Sequence, residues 1–196
     1  MRALLNCGFA LLVLAAGVAA PAQTDSIDAV RVRKEPPRLP VHVTLPHDST
    51  PRFFRLRVIS TNDFHGALDP VQEHGARRGG ADAMAATIAR ASAGCRPPNC
   101  STLLVDAGDL FQGSAASNLA YGAPVVALYN ELGYAAAAIG NHEFDWGMDT
   151  LRARMREARF GLLAANVRDL SGRAPSWARD DTILDRGRLR IGIIGV

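Results

Sequence analysis

The chain has 196 residues, 48% of them hydrophobic and 21% charged, with a formal net charge of +3. That apolar fraction excludes a disordered tail, and the length fits one domain with a short extension. Its 22 basic residues, with Lys34 the only lysine, are nearly balanced by 19 acidic ones, so the charge singles out no nucleic-acid partner.

Arg2 followed by the apolar run Phe9 to Ala20 reads as a secretory signal. The run is too short to span a bilayer comfortably, and it ends in small residues. Cleavage after Ala20 or Ala22 makes residues 1–22 the signal peptide and removes Cys7 with it; a buried helix or an uncleaved anchor is the alternative. Residues 23–52 contain KEPPRLP and LPHDSTP, whose prolines interrupt helices and sheets, and read as a linker or extended arm. No membrane span is expected after signal cleavage. Cys95 and Cys100 then remain, in CRPPNC. In an oxidising compartment a disulfide between them would staple a small loop, the prolines favouring the turn; free thiols are the alternative.

From residue 53 onward strands and helices alternate. Phe53 to Ser60 has strand character, and Ala81 to Ala93 places Met84 and Ile88 on one helix face. Thr102 to Asp106 is a short apolar strand. Pro124 and Gly133 bracket a helix over Val125 to Leu132. Tyr134 to Ile139 carries four alanines, which favour helix, yet it follows a helix stop and precedes a Gly-Asn turn, and we read it as a strand. Asp149 is placed to cap a helix through LRARMREAR. Gly161 to Val167 reads as a strand. Ile183 to Asp185 and Leu189 to Val196 read as a hairpin around Arg186-Gly187-Arg188. Strands separated by helices predict an α/β sheet with parallel pairings.

Ligands of open α/β sheets sit outside the carboxyl ends of strands. Three predicted ends carry polar clusters: Thr61 to Gly66, Asp106 to Ser114, and Gly140 to Asp145. On an extended backbone Asp63 and His65 point to one side and can share a cation. A carboxylate oxygen with a neutral imidazole nitrogen suits Zn, Mn, Co or Fe better than Ca. Asp109 adds a carboxylate able to bridge two cations, and Asn141 adds a carbonyl oxygen. Each motif alone recurs by chance; three at successive strand ends do not read as ordinary turns.

TNDFHG, GDLFQGS and GNHEFDWG resemble the successive metal-site motifs of the 5'-nucleotidase family of calcineurin-like metallophosphoesterases, and Gly79-Gly80-Ala81 resembles that family too. The likeness runs from about Phe53 to Val196, with departures at Ser60 and Ile139, neither a ligand position. It implies an α/β sandwich, α/β/β/α in the full domain, of which residues 53–196 would be the N-terminal portion, about its first half. It implies two divalent metal ions, with Asp63 and His65 on the first, Asp109 bridging and Asn141 on the second. His142 would be the catalytic residue facing the phosphoryl group, and Asp145 its dyad partner. Asn166 would line the pocket, a turn-forming role being the alternative. Family members perform a two-metal hydrolysis in which hydroxide attacks phosphorus. They complete the site with later histidines; the five here are His42, His47, His65, His74 and His142, so the chain reads as cut short.

The expected protein is thus an exported, periplasmic or extracellular, phosphoester hydrolase of nucleotide catabolism. It is similar to a 5'-nucleotidase or UDP-sugar hydrolase, with a small phosphoester, a nucleotide, as substrate. The alternatives are a 2',3'-cyclic-nucleotide phosphodiesterase or thiosulfohydrolase of the same family, and an inactive fragment lacking the later ligands. Glu143 reads as a residue that holds its loop by hydrogen bonds. His74, in EHGARRGG, reads as a solvated loop histidine.

Overall fold

The computed structural model describes residues 9–14 and 53–196. Residues 23–52, read above as a linker, lie outside them, as do residues 1–22, read as a signal peptide, apart from Phe9–Leu14. In chain order the elements are β1 (Phe9–Leu14), β2 (Arg55–Thr61), β3 (Val71–Glu73), β4 (Ala76–Arg78), α1 (Gly80–Ser92), β5 (Cys100–Asp106) and α2 (Ala115–Asn118). They continue with α3 (Ala123–Leu132), β6 (Ala136–Ala138), a 3-10 turn (His142–Phe144), α4 (Gly147–Glu157), β7 (Gly161–Leu163), β8 (Asp181–Arg186) and β9 (Leu189–Gly195).

β2, β5, β6 and β7 form a parallel sheet in that spatial order. β8 and β9 form an antiparallel hairpin, and β1 pairs parallel to β9 with Phe9 opposite Arg190 and Leu14 opposite Gly195. One core lies between the parallel sheet and the helices, around Leu104, Leu110, Val126, Tyr129, Leu151 and Leu162. A second lies between the two sheets, where Leu103, Val105, Ala136, Ala138 and Leu163 meet Ile191 and Ile193. β5 is apolar on both faces because it lies at the centre of this α/β/β stack. The same placement makes β6 a strand. Its three alanines are fully buried, and burial on both faces overrides their helix preference.

The expected helix over Val125 to Leu132 forms, with Pro124 in its first turn and Gly133 ending it at φ 76°. Three expectations need correction. Asp149 does not cap α4: Trp146 stands at that position, and Asp149 lies inside the first turn, 3.7 Å from Arg152. There the acid still faces the positive helix end. The strand expected through Val167 stops at Leu163, because the N–H groups of Ala164 and Ala165 turn away to the carbonyls of Arg179 and Gly195. The segment read as a polar loop contains the β3–β4 hairpin, closed by His74 (φ 49°) and Gly75 (φ 78°). All six of its strand residues are exposed, so no apolar alternation marked it. Cys95 and Cys100 are joined, with Cα atoms 5.0 Å apart.

Candidate metal centre

Three loops carry the centre, each leaving the carboxyl end of an adjacent strand: β2 at Thr61, β5 at Asp106 and β6 at Ala138. The first two loops are laced together by their backbones. The N–H groups of Asp63, His65 and Gly66 donate to the carbonyls of Gly108, Asp109 and Leu110 at 3.0, 2.9 and 2.8 Å. This lacing corrects the picture of an extended Asp63-Phe64-His65. Both Asp63 (φ 50°) and His65 (φ 48°) are left-handed, as is Asp109 (φ 56°). Such backbones cost about 1–3 kcal/mol each for non-glycine residues and cluster at functional sites. The side chains converge regardless of the altered backbone, with His65 Nε2 3.9 Å from Asp63 Oδ1.

His65, Asp109 and His142 each offer a ligand atom, and these atoms lie within 4.8 Å of one another. The His65 ring meets the His142 ring edge-on, with centroids 5.0 Å apart. His65 Nδ1 is 2.8 Å from the carbonyl of Gln112. A neutral ring donates there and leaves its Nε2 lone pair free, which is how metal-ligating imidazoles are held. A donor set of carboxylates and imidazoles, one of them already anchored in this way, fits a borderline divalent cation.

Asp109 is nearly buried, and its Oδ1 accepts the backbone N–H of His142 at 3.1 Å. Gly140 lies flat against it: a Cβ there would collide with the Asp109 carboxylate and amide. His142 Nδ1 is 2.7 Å from Asp145 Oδ2, and this hydrogen bond raises the imidazole above the ordinary 6.5. Asn141 is exposed at the start of the 3-10 turn, where its carbonyl accepts the Phe144 N–H at 3.2 Å. Asn166 is exposed in the turn after β7, and its side chain makes no hydrogen bond to the cluster.

Two buried carboxylates complete the scaffold. Glu143 is 2% exposed. Its Oε1 accepts the N–H groups of Leu110 and Phe111 at 2.7 and 3.3 Å, and its Oε2 those of Asp109 and Gly140 at 3.0 and 2.7 Å. Burial pushes its carboxyl up to about 7 against the pull of these donors. Asp106 accepts from Thr61 Oγ1, from Tyr129 Oη at 2.9 Å and from Gly108 N–H at 2.8 Å. Burial raises its carboxyl as well. The sequence reading places Asp106 in the second polar cluster without a role of its own, and it misses the Gln112 carbonyl. An aspartate closing a buried apolar strand was the signal for the first; a backbone acceptor carries none.

Residues 56–189 match the calcineurin-like phosphoesterase family (Metallophos). The chain belongs to the calcineurin-like phosphoesterases. Among its relatives, the snake venom 5'-nucleotidase of Gloydius brevicauda is 32% identical over 148 residues, 72% of this chain and 25% of its own. The 2',3'-cyclic-nucleotide 2'-phosphodiesterase/3'-nucleotidase of Yersinia enterocolitica is 35% identical over 159 residues, 71% of this chain and 24% of its own. The crystal structure of a 5'-nucleotidase precursor from Thermus thermophilus superposes with a TM-score of 0.62 at 36% identity, over 73% of this chain and 28% of that one. This phosphoesterase chain therefore spans about a quarter of the length of the curated relatives it matches. Among its described residues no helix is long and apolar enough to cross a membrane.

Proposed function

We propose that the chain forms the metal-carrying part of an exported phosphoester hydrolase acting on nucleotides, of the 5'-nucleotidase kind. The observation that carries this reading is the convergence of His65, Asp109 and His142 within 4.8 Å at three adjacent strand ends. Asp63, His65 and Asp109 would hold one divalent ion, and Asp109 with Asn141 would contribute to a second. Bound ions of this class supply positive charge to phosphoryl oxygens and lower the pKa of water.

The remaining work falls to the chain's own residues. The Gln112 carbonyl holds the His65 ring by Nδ1, and Nε2 lies 3.9 Å from Asp63 Oδ1. Asp145 occupies His142 Nδ1 and raises its proton affinity, leaving Nε2 as the atom that carries a proton toward a phosphoryl or leaving-group oxygen. His142 could instead contribute Nε2 as a metal ligand. The Asp145 bond suits either role, since carboxylates also hold metal-ligating imidazoles. We assign His142 the proton because of its place in GNHEFDWG, whose family resemblance puts this histidine against the phosphoryl group. Export is supported by the composition of the apolar run Phe9 to Ala20 and by the Cys95–Cys100 bridge. Cleavage after Ala20 or Ala22 would remove β1 and leave β8 and β9 as a two-stranded hairpin.

The second ion receives only Asp109 and Asn141 from these residues, which favours a further reading: the 196-residue chain alone turns over slowly. The test is a hydrolysis panel with Mn or Zn, using AMP, UDP-glucose, a 2',3'-cyclic nucleotide and a thiosulfate conjugate. AMP hydrolysis abolished by a chelator supports the 5'-nucleotidase reading. Turnover of the cyclic nucleotide or thiosulfate conjugate alone replaces it with the corresponding alternative. Rapid AMP hydrolysis by the isolated chain overturns the slow-turnover reading.

A further inference from the structure

We propose that Glu143 is a positioning residue that sets the spacing between the Asp109 loop and the Asn141–His142 loop, and thereby the metal affinity of the centre. This rests on the metal-centre reading above. Four backbone N–H groups from two loops converge on its two carboxylate oxygens: those of Asp109, Leu110 and Phe111 on one side and that of Gly140 on the other. Oε2 is itself shared between the loops, accepting from both Asp109 and Gly140. The loops are thus pinned at one atom, at the residue carrying the bridging carboxylate and the residue just before Asn141. Gly140 leaves no space to slide, since any side chain there meets Asp109. The His142 N–H then fixes the direction of Asp109 Oδ1.

The geometry demands both oxygens. Each one accepts two donors, so a glutamine of the same shape would turn an amide NH2 toward two N–H groups and lose one side of the clamp. A shorter aspartate would not reach both loops. A merely space-filling role predicts the opposite, because Glu143→Gln preserves volume and removes a buried charge.

The experiment uses the 15N-labelled 196-residue chain. Mn2+ is titrated in while paramagnetic broadening of the His65 and His142 ring signals is followed, and amide hydrogen exchange is recorded separately without metal. In Glu143→Gln the Mn2+ midpoint is expected to rise about 10- to 100-fold, the usual cost of losing a residue that orients ligands. Exchange should quicken at Gly140 or at Leu110, while the thermal unfolding transition stays cooperative. A folded Glu143→Gln chain with the wild-type midpoint overturns the proposal. Should that variant fail to fold, exchange in the wild type decides: Asp109, Leu110 and Gly140 amides exchanging at unprotected rates overturn the clamp, and slow exchange supports it. A wild-type chain whose histidine signals do not broaden overturns the metal-centre reading and the affinity claim that rests on it. Exchange then still decides whether the clamp exists.

Discussion

The backbone N–H of His142 donates to Oδ1 of Asp109 over 3.1 Å, so the proposed proton carrier hangs from the proposed bridging ligand. The side chain of Asp109 therefore has two separable roles, one as an anion and one as an acceptor. Asp109→Asn keeps an acceptor oxygen and removes the charge; Asp109→Ala removes both. Both variants should weaken Mn2+ binding by no less than about a hundredfold. Only the alanine variant should also speed exchange of the His142 amide. Wild-type Mn2+ affinity in either variant would remove Asp109 from the ligand set.

The pairing of His142 with Asp145 predicts a direction in pH. The hydrogen bond raises the folded imidazole above 6.5, so folding favours the protonated ring. That stabilisation is complete below 6.5 and is lost as pH rises through the higher folded value. A metal-free NMR titration in chelator should show His142 titrating above 6.5, and Asp145→Asn should bring it down. An unchanged His142 titration in the variant would contradict the pairing.

Gly140 is a steric requirement. Gly140→Ala places a methyl group against the Asp109 carboxylate and amide, neither of which has room to retreat. Overpacking of this kind costs about 1–3 kcal/mol. Denaturant unfolding should show that loss, and the Mn2+ midpoint should rise with it. A variant as stable as wild type would mean that the loops are looser than the hydrogen bonds imply.

The Cys95–Cys100 bridge closes a short loop just before β5, with a sequence separation of 5. Chain-entropy reasoning gives such a small loop about 2 kcal/mol. Reduction, or the double substitution to serine, should lower the melting temperature while leaving Mn2+ binding unchanged, because the bridge lies at the opposite end of β5 from Asp109.

The order of strands and helices was legible because burial leaves periodic marks. Thr102 to Asp106 announced a short apolar strand, whose Leu103 to Val105 are buried, and Pro124 with Gly133 announced the limits of α3. The three loops of the candidate centre were legible through Asp63, His65, Asp109 and Asn141, since few arrangements place such donors after three successive predicted strands, and the structure brings His65 and Asp109 together with His142. Asn141 and Asn166 both lie exposed, and their proposed roles rest on motif alone. What escaped the sequence reading was backbone conformation. No residue pattern shows that Asp63 and His65 take left-handed φ values, because those accompany hydrogen bonds to Gly108 and Asp109 in the loop after β5. The Gln112 carbonyl escaped for the same reason. β3 and β4 went unseen because a hairpin with no buried side chain has no hydrophobic alternation to read.

That hairpin offers a practical handle. Its tip, His74 and Gly75, sits on two exposed strands that contribute nothing to either core. Extra residues there would lengthen a solvent-facing turn and disturb no buried partner. A short peptide tag or a fluorophore grafted between His74 and Gly75 would report on the molecule from outside, leaving every side chain of the candidate metal centre in its native form.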